Sequence, residues 1–256
     1  MFFKEGDMGN LVRAECFKLL KPLLYKILLF CSVVTGCLFS IMSIMAGSGN
    51  TGYLQILDSM GSIFFNAMFG GGLAAVFICS EFEERTFGIS LSCGVSRRNI
   101  FIAKVIVFLI GMFSLLIVWT VAMVTVNSFV NGFGKVSYID VILQISYGLA
   151  GYAAQGAVII LVAVIIKKMA LTVFICMGFT YIFSIMKENP QFYGNSGIPF
   201  FIKYIYLYQI ELFKVHEGGM FYEDGFNGSV YLIIMFITFI LALIAALFIF
   251  EKTELK

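Results

Sequence analysis

Long uninterrupted runs of apolar residues, separated by shorter polar stretches, dominate this chain, and none shows the two-residue alternation of a half-exposed strand. Six runs contain no Asp, Glu, Lys, Arg or His: Ile27–Ala46, Ser59–Ser80, Val105–Val126, Val141–Ile166, Met169–Met186 and Ser229–Phe250. They are 20, 22, 22, 26, 18 and 22 residues long. A helix rising about 1.5 Å per residue needs roughly 20 residues to cross a hydrocarbon core about 30 Å thick, so each run predicts a transmembrane helix, the longest with tilt or overhang. Helices fit better than a barrel, because lipid leaves backbone groups no water to bond and the alternation a transmembrane strand needs is missing. The expected fold is an all-α integral membrane protein, a single domain over residues 1–256 with six transmembrane helices.

Two further segments have a helical period but too much charge to span. Over Leu11–Leu24, apolar Val12, Cys16, Leu19, Leu20 and Leu23 fall on one face and Glu15, Lys18 and Lys21 on the other, with Arg13 slightly displaced. This predicts an N-terminal interfacial amphipathic helix within the cytoplasmic residues 1–26, its lysines toward anionic headgroups and Pro22 marking the bend into the first span. The second segment, Pro199–Lys214, places Lys203, Glu211, Lys214 and Glu217 in one stripe and leaves Phe201, Ile205, Tyr208 and Leu212 apolar. It reads as an outer re-entrant or interfacial element inside the long 187–228 connection, whose role stays open. Asn227-Gly-Ser229 matches a glycosylation sequon by chance pattern.

Composition agrees with the pattern: 61% of residues are hydrophobic, 12% are charged, and mean hydropathy is +0.98. Each central charge in a span costs about 2.5–3.5 kcal/mol, which accounts for 130 consecutive-run residues without one. A net charge of +2 gives no footprint for nucleic acid. Placement of the bases is more telling than their number. With both termini inside, 13 of the 17 Lys and Arg residues lie on the cytoplasmic side, and Lys135, Lys187, Lys203 and Lys214 lie outside. The positive-inside rule therefore predicts a multi-pass plasma-membrane protein with cytoplasmic termini. Everything beyond Lys167-Lys168 depends on those two residues forming a turn between the fourth and fifth spans. The first span is too long for a cleaved signal, and the six cysteines fall in spans or on the inner side, where free thiols are expected.

Catalytic and cofactor motifs are missing. His216-Glu217-Gly-Gly-Met220 begins like a zinc-protease motif, but a lone His cannot complete it. Gly132-Phe-Gly134-Lys135 lacks P-loop spacing, so no cofactor is expected in this chain and any ATP and Mg would belong to a partner. The spans carry no ionisable group for proton coupling. In the fourth span Gln144, Tyr147, Gly151 and Gln155 recur on one face among small residues, either a helix-packing face or a substrate-lining one. Gly70-Gly71-Gly72 in the second span reads as a hinge or a close contact.

The cytoplasmic connection 81–104 is the most informative segment: acidic Glu81, Glu83 and Glu84 open it, and Arg97, Arg98 and Lys104 close it. A short coupling helix over Thr86–Ser92 would receive the acids at its N-terminal end, Gly94 would break it, and Ser96 would cap the next helix. Twenty-four residues exceed what a turn needs, so this connection predicts a docking surface, with headgroup anchoring a rival use of the arginines.

The acidic-Phe-Glu opening, Thr86, the small-residue break, Ser96-Arg97-Arg98 and Lys104 resemble the inner coupling region of type-2 ABC exporter permeases. Leu11–Lys18 is similar to that family's N-terminal helix, and the six-span plan with its long outer segment before the last span also matches. Arg85 stands where the family commonly has Gly, and Gly88 where a polar or basic residue is frequent. The resemblance implies a permease that pairs with a second copy or paralogue and docks ABC ATPase subunits, in the manner of small stand-alone permeases for antimicrobial-peptide immunity or export. It implies docking through Glu81, Glu83, Glu84, Arg85, Thr86, Ser96, Arg97, Arg98 and Lys104, with Lys167 and Lys168 as a second contact, and membrane lipids around the spans. A stand-alone channel or carrier, a membrane-integral enzyme and a purely structural subunit are the competing expectations.

Overall fold

The computed structural model describes residues 8–47, 51–53, 55–56, 65–84, 86–87, 94–134, 138–188, 215–216, 219–220 and 228–252. Seven helices follow one another among the described residues: α1 (Met8–Leu20), α2 (Leu23–Met45), α3 (66–83), α4 (Arg97–Asn131), α5 (Tyr138–Ile166), α6 (Met169–Glu188) and α7 (Gly228–Lys252). A two-residue hairpin pairs β1 (Val215–His216) with β2 (Gly219–Met220). His216 thus lies on extended backbone, unlike the helix a zinc-protease motif requires.

Four stretches, Leu23–Met45, Arg97–Asn131, Ile145–Ile166 and Leu232–Lys252, are long and apolar enough to cross a membrane. The chain is therefore helical in the way a membrane protein is, and large apolar side chains such as Phe30, Phe174, Phe236 and Ile244 face outward. The outer expectations over 189–214, with Lys203, Glu211 and Lys214, lie outside the described residues, as do Glu217 and the sequon's Asn227.

Side-chain contacts fix the direction of each helix. Tyr25 meets Ser114 at 2.6 Å between hydroxyls, and Ser40 Oγ donates to the Met123 carbonyl at 3.0 Å, so α2 and α4 run parallel. Phe65 stacks on Trp119 at 4.5 Å while Glu81 reaches Lys104 at 2.8 Å, which makes α3 antiparallel to α4. Phe65 lies 6.4 Å from Tyr152, and Cys79 Sγ lies 3.7 Å from the Ala163 carbonyl, so α5 runs with α3. At the end of α7, the Phe250 ring closes against Phe82, Phe87 and Phe101.

Lys167-Lys168 does turn the chain. Lys167 adopts φ 58°, and Cys79 Sγ reaches both the Ala163 carbonyl and Thr172 Oγ1, the latter at 3.2 Å. A straight helix would separate positions nine residues apart by about 13.5 Å, too far for one sulfur to touch both. The left-handed residue therefore folds α6 back along α3 and α5. As a result α1, the turn after α3, the start of α4, the α5–α6 turn and the end of α7 gather at one end of the bundle.

Two expectations are corrected. The connecting loop is shorter than 24 residues, because α3 continues through Glu83 and α4 already begins at Arg97. Ser96 accepts from the Asn99 amide at 3.3 Å, so the expected cap lies at the start of α4. Glu81 and Glu83 accordingly occupy the C-terminal turn of α3, with Glu84 just past it. Of the helix expected over Thr86–Ser92, residues 88–92 lie outside the described ones. In α1, moreover, Glu15 is buried with Leu19, while Phe17 and Leu20 are exposed. The simple stripe failed there because a carboxylate with two ammonium partners can turn inward, where an unpaired one could not.

Candidate functional site

Where α1, α3 and α4 meet, four charged side chains form an internal network. Glu15 Oε1 accepts from Lys18 Nζ at 2.7 Å, one helical turn on. Its other oxygen, Oε2, accepts from Lys104 Nζ at 2.8 Å, and the same ammonium donates to Glu81 Oε1 at 2.8 Å. Lys18 Nζ approaches Glu81 Oε1 at 3.4 Å and closes the ring. Glu15 is 1% exposed and Lys104 3% exposed, so both are inside the protein. Two carboxylates and two ammoniums balance, which lets the group persist away from water. The Phe77 and Phe87 rings, 4.6 and 5.2 Å from Lys104 Nζ, add their negative faces to this cation.

The network also answers an electrostatic problem in α3. Glu81 and Glu83 sit in its last turn, where the helix dipole is already negative. Lys104 and Lys18 neutralise the first. Glu83 Oε1 accepts from the Met169 amide at 2.8 Å, at the electropositive start of α6. Each acid that is poorly placed on its own helix is thus well placed on a neighbour.

Burial pushes the Glu15 carboxyl up, but the Lys104 charge, its hydrogen bond and Lys18 outweigh it and hold the group below its ordinary value of 4.5. Burial pushes Lys18 down, yet its hydrogen bond to Glu15 and the charges of Glu81 and Glu15 raise it above 10.5. A carboxylate lowered on folding contributes stability that is complete above pH 4.5 and disappears as pH falls through its folded value. A raised lysine contributes stability complete below pH 10.5 and lost as pH rises through its own. Thermal unfolding of the purified chain should therefore show an acid limb below pH 4.5 that is shallower in Glu15→Gln. Identical acid limbs in the two proteins would contradict this assignment.

The remaining coupling candidates divide into tethers and outward groups. Arg97 Nη1 donates to the Glu251 carbonyl at 2.9 Å, binding the start of α4 to the end of α7. Lys167 Nζ lies 5.8 Å over the Phe82 ring. The Thr86 amide bonds the Glu81 carbonyl at 3.1 Å, and among the described residues Thr86 Oγ1 and Glu81 Oε2 are buried without a partner. Glu83, Glu84, Arg98 and Lys168 are exposed. Arg85 lies outside the described residues.

On α5, Gly151 and Gln155 are buried and Tyr147 is half-buried, while the Gln144 side chain is outside the described ones. A Cβ added at Gly156 would stand 3.2 Å from Leu109 Cδ2, and α5 lies along α7 for much of its length. The described part of this face is packed inside the protein. Cys16, Cys31, Cys37, Cys79 and Cys176 are free thiols.

Sequence reasoning selected Glu81 and Lys104 but placed Glu15 and Lys18 on the polar face of an interfacial helix, toward headgroups. The available signal was a lone acid three residues before a lysine in an otherwise basic helix. No protein-family model matches the chain, and no curated protein matches its sequence.

Proposed function

We propose that the chain is the membrane-spanning permease subunit of an ATP-driven type-2 ABC exporter. It crosses the cell membrane six times with cytoplasmic termini, works as a dimer with itself or a paralogue, and is driven by a separate ABC ATPase that supplies ATP and Mg. An amphipathic or antimicrobial peptide, or a drug of similar character, is the cargo class the resemblance favours.

The observation carrying this reading is the internal ion network beside the connection from α3 to α4. It ties that connection to α1 and α4, while Glu83 reaches α6 and Arg97 reaches α7. A push on this connection would thus be passed to five helices at once, which is what a subunit moved by an external ATPase requires. The six-span reading is supported by α6 packing antiparallel to α3, and the cytoplasmic assignment by the bases gathered at this end.

Exposed Glu84 and Arg98 are the groups best placed to meet the ATPase. The double reversal Glu84→Lys with Arg98→Glu should leave thermal unfolding unchanged and reduce ATPase co-purification from native membranes at least tenfold. Undiminished co-purification and transport would remove the docking assignment. Reproducible absence of any ATPase from the wild-type complex, with flux through liposomes containing this chain alone, would establish the channel or carrier reading instead.

A further inference from the structure

The helix α3 is irregular in a specific way. Two π-helical segments, Asn66–Gly70 and Ala75–Cys79, alternate with α-helical Gly71–Ala74 and Ser80–Glu83, and the backbone stays helical through every junction. A π turn holds one residue more than an α turn, and such turns concentrate at functional sites. Here there are two, in the helix that touches α2, α4, α5 and α6.

We propose that α3 is a register switch: its π turns hold stored residues, and converting one to α geometry shifts one end of α3 relative to the other. The step amounts to about one residue, roughly 1.5 Å along the axis and 100° around it. Both ends are attached to something that would register the step. At one, Glu81 joins the network with Lys18 and Lys104. At the other, Phe65 stacks on Trp119.

Gly70 and Gly71, where the first π turn passes into the α segment, lie at close approaches of α3 to its neighbours. A Cβ at Gly70 would lie 2.7 Å from Met112 Sδ and 2.8 Å from Ile159 Cδ1, and one at Gly71 would lie 3.0 Å from Cys176 Cβ. Glycine lets the α3 backbone approach α4, α5 and α6 closely there, while Leu73 beside it packs against Gly111 of α4, so a register step exchanges one close packing for another. Close contact at this glycine run is thus seen directly, and a register step would add the hinge. Packed elements of this kind change between discrete arrangements, and helix register shifts take microseconds to milliseconds.

Only the use of this motion in transport rests on the permease reading, so the experiment has two arms. In the first, the full chain is purified alone in lipid nanodiscs, and single residues are deleted. Removing Val76, inside the second π segment, should convert it to α and leave a folded protein. Removing Ile110, in the regular helix α4, should abolish folding because everything beyond it rotates by about 100°. Amides of 75–79 should exchange hydrogen at least tenfold faster in wild type than in the Val76 deletion. Loss of folding on deletion of Val76, or equal exchange in the two proteins, would overturn the switch. In the second arm, the Val76 deletion in the native membrane complex should lose ATP-driven transport at least tenfold while still binding the ATPase. Full transport by that folded variant would reduce the π turns to a passive irregularity and overturn the proposal. A chain that purifies without any ATPase would fail the permease reading, while the exchange arm would still decide the switch.

Discussion

Lys104→Met is expected to be the most destabilising single substitution in this protein. The Lys104 ammonium bonds Glu15 and Glu81 at 2.8 Å each and is 3% exposed. Removing it leaves two carboxylates facing each other inside the protein with only half-exposed Lys18 between them. Breaking a buried pair by deleting one partner costs about 3–5 kcal/mol, because the remaining charge keeps its desolvation penalty. Thermal or denaturant unfolding of the purified protein would measure this. Removing the charges together should cost less. The triple variant Glu15→Gln, Glu81→Gln, Lys104→Met should recover much of the loss, since neutral replacements of a whole buried ion group are often nearly neutral. A Lys104→Met protein within about 1 kcal/mol of wild type would show that water reaches the network freely.

Gly36→Ala should be the next most costly, for a steric reason. A Cβ there would stand 2.8 Å from the Trp119 carbonyl oxygen, 3.0 Å from Trp119 Cδ1 and 3.1 Å from Ala122 Cβ. The first obstacle is backbone, so no rotamer change relieves it and α2 must move off α4. Overpacking of this kind costs about 1–3 kcal/mol. Separation would also disturb the Tyr25–Ser114 and Ser40–Met123 hydrogen bonds along the same contact. Gly72→Ala provides the contrast, because its Cβ would meet only Leu28 Cδ2 at an ordinary 3.4 Å. There the better helix propensity of Ala, about 1 kcal/mol over Gly, should make the change neutral or stabilising. Equal losses at the two positions would mean that close approach of α2 and α4 is not what Gly36 serves.

The apolar runs were readable as helices because lipid permits a chain few alternatives. An uncharged stretch of about 20 residues must bond its own backbone. Both capping at Ser96 and the break at Pro22 follow from local chemistry, and both occur where expected. Helix ends inside the 81–104 connection were less readable. Acids that look like loop residues in sequence extend α3 through Glu83, because partners on other helices compensate them. The same blindness hid Glu15. Its position on the polar stripe was correct for an isolated helix, and only Lys104, 89 residues away, makes the inward orientation affordable.

The π turns of α3 left no trace in the apolar pattern, since a fully apolar run has no phase to shift. Only packing against α4, α5 and α6 on every side reveals them.

Sequence alone determined that the chain is helical and apolar enough for a membrane, and where helices start at Pro22 and Ser96, because each of these depends on residue type and short-range spacing. Tertiary structure decided that Lys167 reverses the chain, that Glu15 turns inward, and that Glu81 and Lys104 bind each other while Glu84 and Arg98 face out. Those outcomes depend on which distant charge or surface arrives to compensate each group, and pairing across the fold is a property of three-dimensional neighbours that no local window contains.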